Sequence, residues 1–172
     1  PPIVNEGVMF ITTPHNRVIA LDARTGEQIW RYDRELPEDQ FQMHPTNRGV
    51  GLYGDRVYLA TADCHIVALD ARTGDVVWNV AGADYRLGFR YTAGAIIVGG
   101  KVVASTNGCD RYHEAKEAPC FISARDALTG EEAWRTSTVA RPGEPGGDTA
   151  RKSTQACNAA LRFPRCASPR PR

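Results

Sequence analysis

Cysteine and histidine are the side chains best suited to bind metals or to act as nucleophiles near neutral pH. This chain carries five of the first and four of the second. The cysteines are Cys64, Cys109, Cys120, Cys157 and Cys166, and none forms a C-x-x-C pair, which removes zinc-ribbon and thioredoxin-like chemistry. Cys109 and Cys120 bracket a polar loop, residues 110–119. On spacing alone both a disulfide closing that loop, which implies an oxidising compartment, and two free thiols are open. His15, His44, His65 and His113 are scattered without ligand spacing and read as surface or loop histidines. The elements that would have to position any site are more informative.

Residues 20–30 read ALDARTGEQIW, and the pattern returns as ALDARTGDVVW at 68–78 and ARDALTGEEAW at 124–134. These copies hold all three Trp residues, spaced 48 and then 56 residues apart. An aliphatic run ending at Asp predicts a buried strand. Ala-Arg-Thr-Gly is turn chemistry, with Asp bonding its own backbone and Gly supplying a positive φ. A second strand then returns through Trp, giving a β-hairpin. A Trp at the same place in each hairpin predicts an indole wedged between neighbouring units with its N–H bonded nearby.

The spacing leaves room for about four strands per repeat, the period of a propeller blade. The expected fold is therefore all-β: three four-stranded blades at residues 1–34, 49–82 and 92–138. Three blades cannot close a ring, since propellers use roughly 4–8. The chain also opens mid-pattern at Pro1-Pro2-Ile3-Val4, so the expectation is a piece of a longer protein. Residues 35–47 should form a rim connector. Residues 107–119 are an insertion between the second and third strands of the last blade, and such insertions collect on one face, often the binding face. The repeat pattern ends near residue 149. Residues 150–172 are rich in Arg, Pro and Ser, and they read as a disordered tail or as a wrong-frame artefact. Residues 151–172 hold six basic and no acidic side chains, whereas the rest of the chain is net −5. That acidic body argues against a nucleic-acid partner, and no apolar run is long enough to span a membrane.

With these residues in view, the chain resembles the pyrroloquinoline quinone (PQQ)-dependent dehydrogenases, the quinoprotein alcohol dehydrogenases of bacteria. The A-x-D-x-x-T-G-x-x-x-W repeat resembles the tryptophan-docking motif of their eight-bladed propeller. Asn47-Arg48-Gly49-Val50 and the connector ARPGEPGGDT at 140–149 match further family stretches, and the resemblance spans residues 1–149. It implies PQQ, a planar ortho-quinone with three carboxylates, together with Ca2+ or a similar ion at its C5 carbonyl.

By position, Arg48 matches the cation that holds a cofactor carboxylate, where a planar, permanently charged guanidinium suits. Without the resemblance it would read as a rim arginine. Thr92 matches a threonine whose hydroxyl bonds a cofactor carboxylate; alone it reads as a strand-start residue. Asn107, Gly108 and Cys109 match small residues that let the backbone approach the cofactor. Asp110 stands where the family has a metal-ligating glutamate, or else caps a turn. The chain departs from the pattern in holding Gln42 and Met43 where many members have adjacent cysteines, and in the insertion at 111–119. The resemblance implies a periplasmic enzyme that oxidises an alcohol, or a sugar or aldehyde, and passes electrons to a cytochrome c or a quinone. The catalytic base would lie outside this stretch, so the stretch alone is expected to be inactive. Two further readings are a non-catalytic propeller scaffold for protein–protein contact in the cell envelope and, more weakly, a sugar-binding propeller.

Overall fold

The computed structural model of the chain describes residues 1–40, 45–108, 119–140 and 143. Pro1–Thr138 form one compact unit and Val139–Arg172 a second, of which only residues 139, 140 and 143 are described. The segment 150–172 lies outside the described residues.

The first unit is built from three antiparallel four-stranded sheets, each a meander in sequence order. Strands β1 (Ile3–Asn5), β2 (Val8–Thr13), β3 (Arg17–Asp22) and β4 (Gln28–Asp33) form the first sheet. The second comprises β5 (Gly51–Tyr53), β6 (Arg56–Ala60), β7 (His65–Asp70) and β8 (Val76–Ala81). The third comprises β9 (Ile96–Val98), β10 (Lys101–Ser105), β11 (Phe121–Asp126) and β12 (Glu132–Ser137). The only helical element among the described residues is a single 3-10 turn, Tyr85–Leu87. The expected all-β architecture is present as an open row of three blades, not a closed propeller.

The middle sheet explains why its strands read as unbroken apolar runs. Tyr58, Ala60, Ile66 and Ala68 face one way, into a core shared with Phe89, Tyr91, Val102, Ala104 and Phe121. Val57, Leu59, Val67 and Leu69 face the other, against Phe10, Val18, Ala20 and Trp30. Side chains alternate with period 2, so a sheet covered on both faces needs apolar residues at every position.

The repeated turn is the same in each blade. The Asp22 carboxylate accepts N–H bonds from Arg24 (2.8 Å) and Thr25 (2.9 Å). Asp70 does so from Arg72 and Thr73, and Asp126 from Leu128 and Thr129. The following glycines, Gly26, Gly74 and Gly130, have φ of 78°, 79° and 79°, which only glycine adopts without strain. Each hairpin also shifts register at the same place, after Ala20, Ala68 and Ala124.

Two of the three indoles are wedged between blades. Trp30 donates through Nε1 to the Ala71 carbonyl at 2.9 Å, and Trp78 to the Ala127 carbonyl at 3.2 Å. Each lies over the turn glycine of the next blade: a Cβ on Gly74 would come within 2.6 Å of the Trp30 ring, and one on Gly130 within 3.1 Å of Trp78. Phe10 and Tyr58, two strands in and in register across Ala20 and Ala68, pack on these indoles at 5.8 Å between ring centres. The third indole departs from the expectation. Trp134 is 45% exposed. No fourth sheet stands beside it among the described residues, and its partner on β10 in register is the smaller Val103.

Candidate cofactor site

Three loops at one end of the second and third blades bring the candidate residues together. The first is the approach to β5, residues 47–50. The second is the segment 88–95 leading into β9, and the third is the end of β10. Gly94 lets the first two touch, because a Cβ there would sit 3.1 Å from the Gly49 carbonyl oxygen. The second and third are joined by an isolated antiparallel bridge. In it Asn107 N–H donates to the Arg90 carbonyl at 2.9 Å, and Arg90 N–H donates back to Asn107 at 3.2 Å.

At this junction Arg48 Nη1 donates to the Thr92 hydroxyl oxygen at 3.0 Å and to its carbonyl at 3.4 Å. Asn107 Nδ2 donates to the same hydroxyl at 2.6 Å. Thr92 Oγ1 therefore accepts twice, which leaves its own proton to donate elsewhere. The other atom of the Asn107 amide, Oδ1, is buried without a hydrogen-bond partner. Gly108 has φ of 90°, and a Cβ there would lie 2.3 Å from the Gly88 carbonyl oxygen, so the two backbones meet where no other residue fits. Arg48 is exposed, whereas Thr92, Asn107 and Gly108 are half-buried.

The structure thus places Arg48, Thr92, Asn107 and Gly108 side by side, although 60 residues of sequence separate the first and last. Cys109 and Asp110 lie outside the described residues, as do Gln42, Met43 and most of the insertion. Cys120 is disulfide-bonded. Cys109, its partner in one of the two alternatives left open by spacing, lies outside the described residues. Among the described residues no three His, Cys, Asp or Glu side chains gather as a metal cluster. Cys64 is free, and burial pushes its thiol up to about 12.

Two groups were not singled out by the sequence reading. Asp63, 3% exposed, pairs with Arg34 at 2.5 Å, and Gln40 Nε2 donates to the Ala62 carbonyl at 2.7 Å. Together they fix the connector between blades. Arg34 sits in an Asp-Arg-Glu run that reads as a solvated face, so only the three-dimensional partner reveals it. Asn47 is the second: its amide spans two blades, and its position directly before Arg48 was the available signal.

Comparisons with known proteins bear on the family and the fold. A family model described as the glucose/ethanol/alcohol dehydrogenase β-propeller domain, PQQ, matches residues 1–160. The quinoprotein alcohol dehydrogenase PedH of Pseudomonas putida is 39% identical over 142 residues, which cover 80% of this chain and 22% of PedH. Quinohemoprotein alcohol dehydrogenase ADH IIB of the same species is 37% identical, with 84% and 20% covered. Among solved structures, quinohemoprotein alcohol dehydrogenase ADHIIG of Pseudomonas putida HK5 superposes with a TM-score of 0.71 at 36% identity, covering 88% of this chain and 23% of that one. A europium-containing methanol dehydrogenase superposes at 0.73 with 25% identity, covering 83% and 25%. The chain spans about a fifth of the length of the curated relatives it matches. With its docked indoles, repeated Asp-Gly turns and matching family model, the chain belongs to the PQQ β-propeller family of quinoprotein alcohol dehydrogenases.

Proposed function

We propose that this chain supplies early blades and one edge of the cofactor site of a PQQ-dependent dehydrogenase that oxidises an alcohol, with a sugar or aldehyde as the wider class. The observation that carries this is the Arg48–Thr92–Asn107 junction. An anionic planar cofactor needs donors in one edge. Here a guanidinium has one nitrogen on Thr92, while the Thr92 hydroxyl keeps a proton to donate. A buried amide oxygen without a partner costs about 1–3 kcal/mol, a cost that a site built to meet a ligand donor recovers on binding. The residues present therefore fit PQQ: Arg48 and Thr92 would hold its carboxylates, Asn107 its edge, and Gly108 would let the backbone approach.

When bound, PQQ supplies a quinone that accepts two electrons and two protons from the alcohol, with Ca2+ or a similar ion polarising the C5 carbonyl. This chain's own part is to hold and orient the cofactor. Arg48 neutralises carboxylate charge, and the Thr92 proton points the hydroxyl at an acceptor because both its lone pairs are taken. Cys109 and Asp110 belong to the same proposal, Cys109 beside the cofactor and Asp110 as an oxygen ligand to the metal. Electron transfer to a cytochrome c or a quinone, and a periplasmic location in keeping with a disulfide at Cys120, complete the reading.

The test is a titration of the chain with PQQ in the presence of Ca2+, followed by dye-linked alcohol oxidation in a full-length protein carrying these blades. Arg48→Ala is expected to weaken PQQ binding about 10- to 100-fold, the cost of about 1.5–3 kcal/mol for a charge-assisted bond. Unchanged affinity in the variant would remove Arg48 from the site. Absence of any PQQ binding would move the reading to the non-catalytic scaffold.

A further inference from the structure

Asn47, in the connector ahead of β5, hydrogen-bonds residues of both the first and the second blade. Its Nδ2 donates to Asn16 Oδ1 at 3.1 Å and to the Ala60 carbonyl at 2.9 Å, using both amide protons. Its Oδ1 accepts from Gly49 N–H at 3.1 Å, closing a ring around Arg48. Its carbonyl accepts from Thr12 Oγ1 at 3.3 Å. Thr12 and Asn16 belong to the first blade, Ala60 to the second, and Arg48 is the residue enclosed. Asn16 is 2% exposed with φ of 56°, a backbone state that Asn tolerates better than most residues. It holds that state in the turn that presents its Oδ1 to Asn47.

We propose that Asn47, seated on Asn16, is a positioning residue for Arg48. It locks the peptides on both sides of the arginine to two blades, so that the guanidinium meets Thr92 in one fixed place. This rests on the reading that Arg48 binds a cofactor carboxylate. The residue type is dictated by the partners. Two acceptor oxygens face Nδ2 and one donor faces Oδ1, so an aspartate of identical shape would set lone pairs against lone pairs at two of three contacts.

Two measurements on the full chain test this. The first needs no cofactor: the 15N NMR signal of the Arg48 Nη1 group, the one that donates to Thr92, in the parent, in Asn47→Asp and in Thr12→Val. A fixed arginine gives a signal displaced from the solvent-exposed position, and Asn47→Asp is expected to return it there, with Thr12→Val moving it part of the way. An unmoved signal in a folded Asn47→Asp chain overturns the proposal; if that variant fails to fold, an unmoved signal in Thr12→Val does so. The second is PQQ titration of Asn47→Asp, Arg48→Ala and the double variant. Asn47→Asp is expected to weaken binding about 10- to 100-fold, as loss of a supporting contact does, and to add nothing once Arg48 is gone. A residue that only stabilised the fold would lower the melting temperature while leaving affinity and the arginine signal unchanged well below it. Weakening by Arg48→Ala with none from Asn47→Asp overturns this inference and leaves the cofactor reading standing. No effect of Arg48→Ala overturns the cofactor reading, and the NMR measurement then decides the positioning on its own.

Discussion

Thr92 shows how much a single hydroxyl can be constrained by its neighbours. Accepting from both Arg48 and Asn107 leaves it one direction in which to donate. Thr92→Val keeps the shape and deletes the acceptor, and it is expected to weaken PQQ binding about 10-fold with little change in melting temperature. Gly108→Ala acts through the backbone instead. At φ of 90°, with the Gly88 oxygen 2.3 Å from the new Cβ, the bridge between Arg90 and Asn107 must open. The expected outcome is a loss of about 2–4 kcal/mol in chemical denaturation, with cofactor binding lost alongside. At this scale the sequence was only partly readable. Arg48, Thr92 and Asn107 were nominated by resemblance to a family, since nothing in their spacing says that they touch. The pairing of Asp63 with Arg34 was invisible, because a buried ion pair and a solvated one have the same local sequence.

The repeated hairpin was legible for a physical reason: its turn is made by local bonds that the sequence spells out. Asp22, Asp70 and Asp126 have carboxyls held below the ordinary 3.8 by backbone N–H groups, of Thr25 and Arg24, of Arg72 and Thr73, and of Leu128 and Thr129. A group whose folded value is depressed contributes stability above its unfolded value and loses it as pH falls through the folded one. Melting temperature should therefore fall as pH drops below 3.8, and Asp70→Asn should flatten part of that fall while lowering stability at neutral pH. Glu132, whose hydrogen bond with Arg135 lowers it in the same way, adds to the parent's acid sensitivity and remains in the variant. The docking of the indoles is where the element-level expectation was incomplete. Wedging needs the next blade's turn, a long-range fact that the 11-residue motif does not contain. Trp30→Ala is expected to cost about 3–5 kcal/mol in chemical denaturation, while Trp134→Ala, lying 45% exposed, should cost under about 1 kcal/mol. Equal losses at the two positions would contradict the docking described here.

At the scale of the whole molecule, the three blades form a row in which, among the described residues, only the middle sheet is covered on both faces, by the first sheet on one side and the third on the other. That arrangement sets the Arg48–Thr92–Asn107 junction, the proposed cofactor edge, at the ends of the second and third blades. It also makes the site depend on blade packing, because Asn47, directly before Arg48, is bonded to residues of two blades and Arg48 meets Thr92 at the start of a third. Period and turn chemistry make the three blades legible in the sequence. The convergence of residues 48, 92 and 107 emerged only from packing, since it depends on Gly94 and Gly108 allowing backbones to approach. The most direct measurement is a crystal structure of the chain soaked with PQQ and Ca2+. The account predicts a cofactor carboxylate within hydrogen-bonding distance of both the Arg48 guanidinium and the Thr92 hydroxyl, with its ring edge beside Asn107. Density for the cofactor elsewhere, with Arg48 still turned onto Thr92 alone, would contradict it.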